Sequence, residues 1–373
     1  LHEPYRRQRQ MCIRDREEFV RTEVQFIPAK LKVIDHYRET YECRSCRKNG
    51  TPYMEKAPVP YPPVLHSLAS ASTITWLIHQ KFELSIPLYR QEKEWEALGL
   101  CLSRATMSNW LLVVYRDWLV HIVHRLKLEL LKQRYLHIDE THVQVLKEPG
   151  RKNTSDSYMW VYCSIRDAVN PIRYFEYQPG RSGKYPEAFL REYEGYIHTD
   201  AYSGYNAVSG VKRCLCYTHL RRAFVDALPK DIHNSEASKP AEAILRLNQL
   251  FNIESELEAL PPDQKKKERL IREKPLLEAF WSWAEKSAIG ELPKSKLSKA
   301  FHYALNNREG FWNYLEDGNC SISNSLAENC IRPFVIGRKN WLFSGSPKGA
   351  EASAGIYLSL IHISEPTRRT PIS

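Results

Sequence analysis

The amino-acid sequence predicts an α/β protein in which a mixed sheet is accompanied and interrupted by helical segments. Two patterns support this prediction. Alternating apolar residues predict strands at about 135–146, 158–166 and 171–178, and two shorter strands follow, one ending at Asp200 and one at roughly 212–217. Apolar residues at three- and four-residue steps predict helices within 66–132, at about 183–193, and throughout 240–316.

The order of these strands defines the layout of the predicted five-stranded sheet. The first three strands form an antiparallel meander, and a helix then leads to a fourth strand that lies parallel to the first. With the fifth strand added, this is the layout of a ribonuclease-H-like core. We assign the first part of the core to residues 133–230, an all-helical insertion to 231–320, and a closing helix with a basic segment to 321–357.

Length and composition are compatible with two or three domains. The 373 residues are 43% hydrophobic, which can fill sizeable cores. No run of eighteen apolar residues and no apolar N-terminal segment occur, so we expect neither a membrane span nor a secretory signal. Nine cysteines without a regular disulfide pattern predict a reducing, cytoplasmic compartment. The net charge of +10 falls to +6 without the two terminal segments, which is compatible with a polyanionic partner but does not require one.

Both ends of the chain differ from the rest. Residues 10–16 and 358–368 resemble translated adapter sequence, and we interpret 1–16 and 358–373 as non-native tails. Disordered natural tails are the alternative. On the first interpretation, the natural protein continues in both directions.

The N-terminal region contains half of a metal-site pattern. Cys43 and Cys46 have the spacing of two zinc ligands, whereas a structural zinc site normally has four. A second pair is missing, although His36 lies nearby. We therefore interpret residues 17–57 as the remnant of a zinc-binding module, which either binds Zn²⁺ or is metal-free. A proline-rich linker follows at 58–65.

Residues 66–132 are predicted to form a helical domain of the helix-turn-helix type, which would bind DNA. Ser103 is expected to cap the second helix of the motif. Trp110 and Leu111 would face inward, and a plain helical hairpin is the alternative. The residues expected to face a DNA groove are Ser103, Arg104, Thr106 and Asn109.

Three acidic residues lie in distinctive short phrases. Asp139 lies in the first core strand, Asp200 ends the fourth, and Glu328 lies in a short helix that Pro333 is expected to kink or end. Aspartates at the same end of paired strands, about 4.8 Å apart, can share a cation, and a packed helix can supply a third carboxylate. Such a set suits two Mg²⁺ (or Mn²⁺) ions, which prefer oxygen ligands.

Two further glutamates compete for these roles. Glu140 adjoins Asp139, but strand alternation points it to the opposite face of the sheet. Glu351 is the main rival to Glu328. We prefer Glu328 because Arg332 lies one helical turn beyond it and a basic, aromatic segment follows.

Basic and aromatic side chains near these acids predict contacts with DNA. Those at the start of the helix after the fifth strand would steer phosphates toward the carboxylates: His219, Arg221 and Arg222. Those after Glu328 would neutralise phosphates or stack on an unpaired base: Arg332, Arg338, Lys339 and Trp341. Ordinary surface charge, and a basic turn before a buried strand, are the alternatives. Cys214, Cys216 and His219 are explained by strand alternation and a helix start rather than by a metal site.

Five phrases together resemble the large transposase of the insertion-sequence-66 family. They are PLYRQE at 87–92, HIDETHVQVL at 137–146, GYIHTDAYSGYN at 195–206, CYTHLRRAF at 216–224 and LAENCIRPFVIGRKNWLFSGSPKGAE at 326–351. The resemblance implies an Asp-Asp-Glu recombinase with a ribonuclease-H-like catalytic domain, and it maps the triad onto Asp139, Asp200 and Glu328. It also implies an N-terminal zinc module, of which only Cys43 and Cys46 remain.

These observations lead to one functional hypothesis and two alternatives. The hypothesis is a bacterial transposase, nucleoid-associated when it acts, that cleaves element ends and joins them to target DNA. It would work as a homo-oligomer on DNA, with or without accessory proteins of the same element. The alternatives are a catalytically silent, sequence-specific DNA-binding protein and a ribonuclease-H-like nuclease.

Overall fold

The computed structural model describes residues 21–24, 30–50, 53–229 and 238–364. The predicted tail at 1–16, the start of the predicted insertion at 231–237 and the last residues, 365–373, lie outside the described residues. The chain divides into two units, Leu1–Val59 and Pro60–Ser373. In the first unit, β1 (Thr40–Glu42) pairs antiparallel with β2 (Met54–Lys56), and the short helix α1 (Arg44–Lys48) lies between them in the chain.

The second unit begins with four helices, as the apolar spacing predicts. Ser103 caps α4 by accepting a hydrogen bond from the backbone N–H of Thr106, so the predicted cap is confirmed. Two π-helical segments, His79–Glu83 and Tyr115–Leu119, extend the first and third of these helices. The helices are α2 (Ala71–Ile78), α3 (Leu88–Ala97), α4 (Arg104–Val114) and α5 (Val120–Leu130).

All five predicted strands form one mixed sheet. Its order is β5-β4-β3-β6-β7; β3, β4 and β5 are antiparallel, and β6 and β7 extend the sheet in parallel from β3. A short strand that the sequence did not predict, β8 (Phe343–Ser344), pairs with the far end of β3. The strands are β3 (Tyr135–Val145), β4 (Asp156–Ser164), β5 (Arg173–Gln178), β6 (Gly195–Thr199) and β7 (Val211–Leu215).

The predicted helical insertion follows α7 and has a core of its own. Trp281 and Phe301 are fully buried in a cluster that also contains Leu215 and Tyr217, which ties the insertion to the edge of the sheet. Arg269 is also fully buried, and its guanidinium donates to Glu254 and to the backbone carbonyl of Cys320. The helices are α6 (Lys184–Phe189), α7 (Tyr217–Val225), α8 (Lys239–Glu256), α9 (Pro262–Arg272), α10 (Lys274–Ala288), α11 (Lys296–Asn306) and α12 (Arg308–Trp312).

The closing helix is longer than the sequence predicts. The helix α13 (Ser325–Trp341) continues through Pro333, so the expected end of the helix near that proline is wrong. Proline removes one backbone hydrogen bond, but buried side chains on both sides of it, Ile331 and Phe334, hold the helix against the sheet. The last helix, α14 (Pro347–Ser364), continues past residue 357, where the interpretation of the sequence placed the start of the tail.

Most of the second unit shares one further core. The initial helices, the sheet, α13 and α14 contribute buried side chains to a single cluster that includes Trp110, Val161, Phe334 and Tyr357. The residues proposed as a helix-turn-helix domain therefore pack on the same apolar core as the sheet. Among the described residues, none of the helices is long and apolar enough to span a bilayer.

Candidate active site

Strand pairing puts the two aspartates side by side. In the parallel pair, His137 of β3 lies opposite His198 of β6. Two residues beyond this pair are Asp139, which lies within β3 rather than at its end, and Asp200, which directly follows the last residue of β6. Neighbouring strands are about 4.8 Å apart, so the two carboxylates leave the sheet as neighbours.

A buried pair of histidines, His137 and His198, precedes the two aspartates on the paired strands. The rings of His137 and His198 are stacked, with centroids 4.2 Å apart, and both side chains are buried. Because side chains alternate along a strand, His137 and Asp139 lie on one face of the sheet, as do His198 and Asp200. The stacked rings therefore fix the spacing of the two strands just before the carboxylates.

Asn324 brings the third carboxylate to this face. It is the buried residue just before α13, and its Nδ2 donates to the backbone carbonyl of Ile138 at 2.8 Å. Its Oδ1 lies 3.0 Å from Nδ1 of His137, and its backbone N–H donates to Sγ of Cys216. Since the amide nitrogen is the donor to Ile138, Nδ1 of His137 carries the proton in the second bond. The first turn of α13, with Glu328, is thereby held beside β3.

The electrostatics of Asp139 show that the three carboxylates share one region. Burial is the largest cause that raises the pKa of Asp139 to about 7, and the charge of Glu140 is the next. The charges of Asp200 and Glu328 raise it further, against a backbone hydrogen bond from Glu140 that lowers it. A cation at this position would relieve the mutual repulsion of the carboxylates.

His219 faces Glu328 from the start of α7. Its Nδ1 lies 3.7 Å from Oε1 of Glu328. A hydrogen bond with Cys216 is the main cause that raises the pKa of His219, and the charges of Cys216, Glu328 and Asp200 add to it against partial burial. Within the described part of the chain, Nδ1 of His219 and Oε1 of Glu328 are buried atoms without a hydrogen-bond partner. Their nearest charged contact in this part of the chain is therefore each other, without a hydrogen bond.

Glu140 lies on the opposite face, as alternation predicts. It accepts hydrogen bonds from Arg181 and Tyr205, and burial raises its pKa although both partners lower it. The same Arg181 lies 3.6 Å from a carboxylate oxygen of Asp200. Glu140 is thus linked to Asp200 through Arg181 and does not join the group of Asp139, Asp200 and Glu328.

Two arginines that the sequence did not indicate hold the turn after β6. Arg181 contacts Asp200 directly, and Arg213 donates to Thr199 Oγ1 and to the backbone carbonyls of Asp200 and Tyr202. Arg213 lies on β7, opposite Ile197 of β6, and Arg181 lies in a glycine-flanked segment after β5. Neither spacing is a recognised motif, so only the folded structure identifies them.

The rival glutamate lies elsewhere. Glu351 is exposed on α14 and lines a cavity of about 520 Å³ together with Tyr115, Glu148 and Arg151. Burial is the main cause that raises the pKa of Tyr115, and the charge of Glu351 adds to it; that charge is not among those that act on Asp139. The preference for Glu328 over Glu351 agrees with this geometry.

Some of the residues predicted to contact DNA are exposed, and others contact side chains of the protein itself. Arg221 donates to Asn248 of α8, and Arg338 donates to Thr141 of β3. Trp341 is half-buried, with Nζ of Lys81 4.1 Å from its ring centroid and Tyr357 beside it, so part of its ring already contacts other side chains. The exposed members of the prediction are Ser103, Arg104, Thr106, Asn109, Arg222, Arg332 and Lys339.

The cysteine pair of the N-terminal unit is close enough to act together. The side chains of Cys43 and Cys46 interact; hydrogen bonds, chiefly to the Cys46 backbone, lower the pKa of Cys43, whereas the contact with Cys43 raises that of Cys46. Among the described residues, no third histidine, cysteine or acid completes a metal-binding group with them. The pair remains half of a zinc site.

Comparisons with known proteins agree with this geometry. Residues 66–352 match the family model for transposases of the IS66 family, and residues 15–47 match the zinc-finger binding domain of transposase IS66. An uncharacterized protein of Sinorhizobium fredii (strain NBRC 101917 / NGR234), y4hP, is 26% identical over 348 residues, or 88% of this chain and 61% of the relative. A second from the same strain, y4jD, is 26% identical over 349 residues, or 90% of this chain and 66% of the relative.

The chain therefore spans less than two thirds of the length of these two curated relatives. The matched region nevertheless contains every strand of the sheet, the whole of α13 with Glu328, and part of α14. On that match, the chain belongs to the IS66 family of transposases.

Proposed function

We propose that this protein is a metal-dependent DNA transposase with a ribonuclease-H-like catalytic core. In this proposal it cleaves the ends of an insertion sequence and transfers them into target DNA. The observation that supports it best is the pairing of His137 with His198, which puts Asp139 and Asp200 each two residues beyond the same aligned pair, while Asn324 holds the start of the helix of Glu328 against β3. Membership of the transposase family supports the same reaction class.

The donor set fits a pair of hard divalent cations. Asp139, Asp200 and Glu328 offer only oxygen ligands, and the buried Oε1 of Glu328 has no hydrogen-bond partner within the described residues. Burial is the main cause that raises the pKa of Asp139, and the charges of Glu140, Asp200 and Glu328 raise it further. Bound Mg²⁺ or Mn²⁺ would supply Lewis-acid stabilisation of the phosphodiester and lower the pKa of an attacking water.

The residues of the chain would position the reaction around these ions. Arg213 and Arg181 fix the turn that carries Asp200, and Asn324 fixes the helix that carries Glu328. Because the same carboxylates would serve cleavage and strand transfer, their separation has to be held constant through both steps. The contacts of Arg213 and Arg181 at Asp200, and of Asn324 at the start of α13, are suited to that requirement.

DNA would approach over the exposed basic and polar residues. On α4, Ser103, Arg104, Thr106 and Asn109 form an exposed row that a groove can accept. Arg222, Arg332 and Lys339 are exposed near α7 and α13 and would neutralise phosphates. We further propose that the protein acts as a homo-oligomer in the bacterial cytoplasm, because bringing two element ends together requires two binding sites. Accessory proteins of the same element are possible additional partners.

The test compares two glutamates on neighbouring helices. Glu328→Gln keeps the shape of the side chain but removes one charge from the proposed site, whereas Glu351→Gln makes the same change at the separate cavity. We expect Glu328→Gln to reduce Mg²⁺-dependent cleavage of DNA carrying the element ends by at least about 1,000-fold, with DNA binding retained. Glu351→Gln should cleave at a rate close to that of the unchanged protein.

The products separate transposition from simple hydrolysis. Element ends covalently joined to target DNA support a transposase, whereas cuts without joining indicate a nuclease. Equal cleavage by the Glu328→Gln and unchanged proteins would remove Glu328 from the mechanism. DNA binding without any metal-dependent cutting by the unchanged protein would instead support a DNA-binding protein without catalysis.

A further inference from the structure

Three potential metal ligands, a thiol, an imidazole and a carboxylate, meet beside the proposed catalytic carboxylates. Cys216 immediately precedes α7, His219 lies in its first turn, and Glu328 lies in the first turn of α13. One thiol, one imidazole and one carboxylate ligand atom from these residues all lie within 4.8 Å of one another. The grouping depends on the contact between α7 and α13 and cannot be read from the sequence spacing.

The geometry is close to that of a tetrahedral metal site. Nδ1 of His219 and Oε1 of Glu328 are 3.7 Å apart. In a tetrahedral zinc site with bonds of about 2.0–2.3 Å, two ligand atoms are separated by roughly 3.3–3.8 Å. A small closing movement of Cys216 would complete three protein ligands and leave the fourth position for water.

Two of the three ligand atoms are buried without a hydrogen bond to any described residue. Nδ1 of His219 and Oε1 of Glu328 are both buried and face each other at 3.7 Å, but neither makes a hydrogen bond within the described residues. Buried polar atoms without a hydrogen bond are costly, so a cation bound between them would remove a penalty at both atoms. Sγ of Cys216 accepts a hydrogen bond from the backbone N–H of Asn324 at 3.1 Å, the kind of outer contact that orients a metal ligand.

A second cluster of potential ligands is not a candidate metal site. His198, Cys214 and Cys320 also lie within 4.8 Å of one another. However, Nδ1 of His198 lies 3.2 Å from the backbone carbonyl of Leu136, and its Nε2 accepts from the backbone N–H of Ser321 at 2.9 Å. With both ring nitrogens engaged, this histidine has no free ligand atom.

We infer that Cys216, His219 and Glu328 form a binding site for a thiophilic divalent cation of the Zn²⁺ class. Sulfur and imidazole ligands favour such ions over Mg²⁺, which takes oxygen ligands. The site is distinct from the cysteine pair of the N-terminal unit. No part of this inference requires that the protein cut DNA.

The site shares one ligand with the proposed catalytic set. This consequence rests on the proposed function, in which Glu328 helps to hold the catalytic ions. A carboxylate drawn to an ion on Cys216 and His219 would be withdrawn from Asp139 and Asp200. Occupation by Zn²⁺ would therefore inhibit Mg²⁺-dependent cleavage.

Cobalt provides a direct test, because Co²⁺ bound to a thiolate gives a charge-transfer band. The titration uses the full chain with Cys43→Ser and Cys46→Ser, which removes the cysteine pair of the N-terminal unit. We expect one equivalent of Co²⁺ to produce the band, and Cys216→Ser to abolish it. His219→Gln should weaken binding by more than about 100-fold, beyond the 10–100-fold typical of outer-sphere changes. Cys101→Ser, at an exposed cysteine, is the matched control and should keep the band.

The outcomes decide the inference whether or not the protein cleaves DNA. Absence of the band, or a band unaffected by both Cys216→Ser and His219→Gln, would overturn it. Circular dichroism of each variant establishes that a lost band does not reflect unfolding. In the cleavage assay, Zn²⁺ should inhibit the unchanged protein at least about tenfold more strongly than Cys216→Ser, each relative to its own zinc-free rate. Equal inhibition would overturn the shared role of Glu328 while leaving the cobalt result intact.

Discussion

Replacing Asp139 by asparagine should make the protein more stable while removing its proposed activity. In the folded chain, burial and neighbouring acids raise the pKa of Asp139 from 3.8 to about 7. The folded state therefore binds the proton more tightly than the unfolded state, and ionisation of Asp139 opposes folding. Asparagine keeps the size of the side chain and an oxygen that can accept the 2.9 Å hydrogen bond from the Glu140 backbone.

The size and pH dependence of this effect follow from the pKa change. A difference between 3.8 and about 7 corresponds to about 4 kcal/mol at pH 8, at about 1.4 kcal/mol per unit. Because Asp139 retains some exposure to water, which screens its charge, we expect Asp139→Asn to gain roughly 2–4 kcal/mol at pH 8. The destabilisation grows as the pH rises from 3.8 to about 7, so the gain should be only about 1–2 kcal/mol at pH 5.

The assay is urea unfolding followed by tryptophan fluorescence, at pH 5 and pH 8, in EDTA so that divalent cations are absent. Asp167→Asn is the matched control, because this aspartate is exposed in the loop between β4 and β5. It should change stability by less than about 0.5 kcal/mol at either pH. An Asp139→Asn protein no more stable than the unchanged one at pH 8, or equally stabilised at both pH values, would refute the electrostatic reasoning.

Two further predictions concern α13. Asn324→Ala leaves two buried polar groups of β3 unpaired and should cost about 2–4 kcal/mol, while cleavage slows by about 10–100-fold and DNA affinity is kept. Asn329→Ala, exposed on the same helix, is its control; equal loss of cleavage in both variants would contradict a positioning role. Gly337→Ala would put a Cβ 2.1 Å from the Trp341 ring and should lower the free energy of unfolding by about 1–3 kcal/mol. Gly345→Ala, where a Cβ meets nothing within 4 Å, should be neutral, and thermal unfolding of both variants checks the contrast.

Much of the sheet could be predicted because its signals are local. Alternation of apolar residues identified all five main strands, and the parallel relation of β3 and β6 followed from the intervening helix. The register that aligns His137 with His198, two residues before Asp139 and Asp200, was expected only in outline, since register depends on packing between strands. The cap at Ser103 and the inward side of α4, with Trp110 and Leu111, were likewise local and are confirmed.

The parts that escaped prediction depend on contacts between distant segments. Pro333 indicated a helix end, but packing of the flanking apolar side chains outweighs the single hydrogen bond that proline removes. Trp341 looked available for base stacking from its basic neighbours, yet Lys81 and Tyr357, far away in sequence, surround it. The roles of Asn324, Arg181 and Arg213 also arise only when separate loops meet.

The placement of Glu328 beyond the helical insertion has a consequence for protein synthesis. Both aspartates leave the ribosome together with the sheet, whereas the glutamate emerges only after the whole insertion has been translated. If all three acids are needed, as proposed, a polypeptide released early would carry the exposed row of α4 without a complete set of carboxylates. Such truncated products would occupy DNA without breaking it and would restrain the full-length protein encoded by the same element.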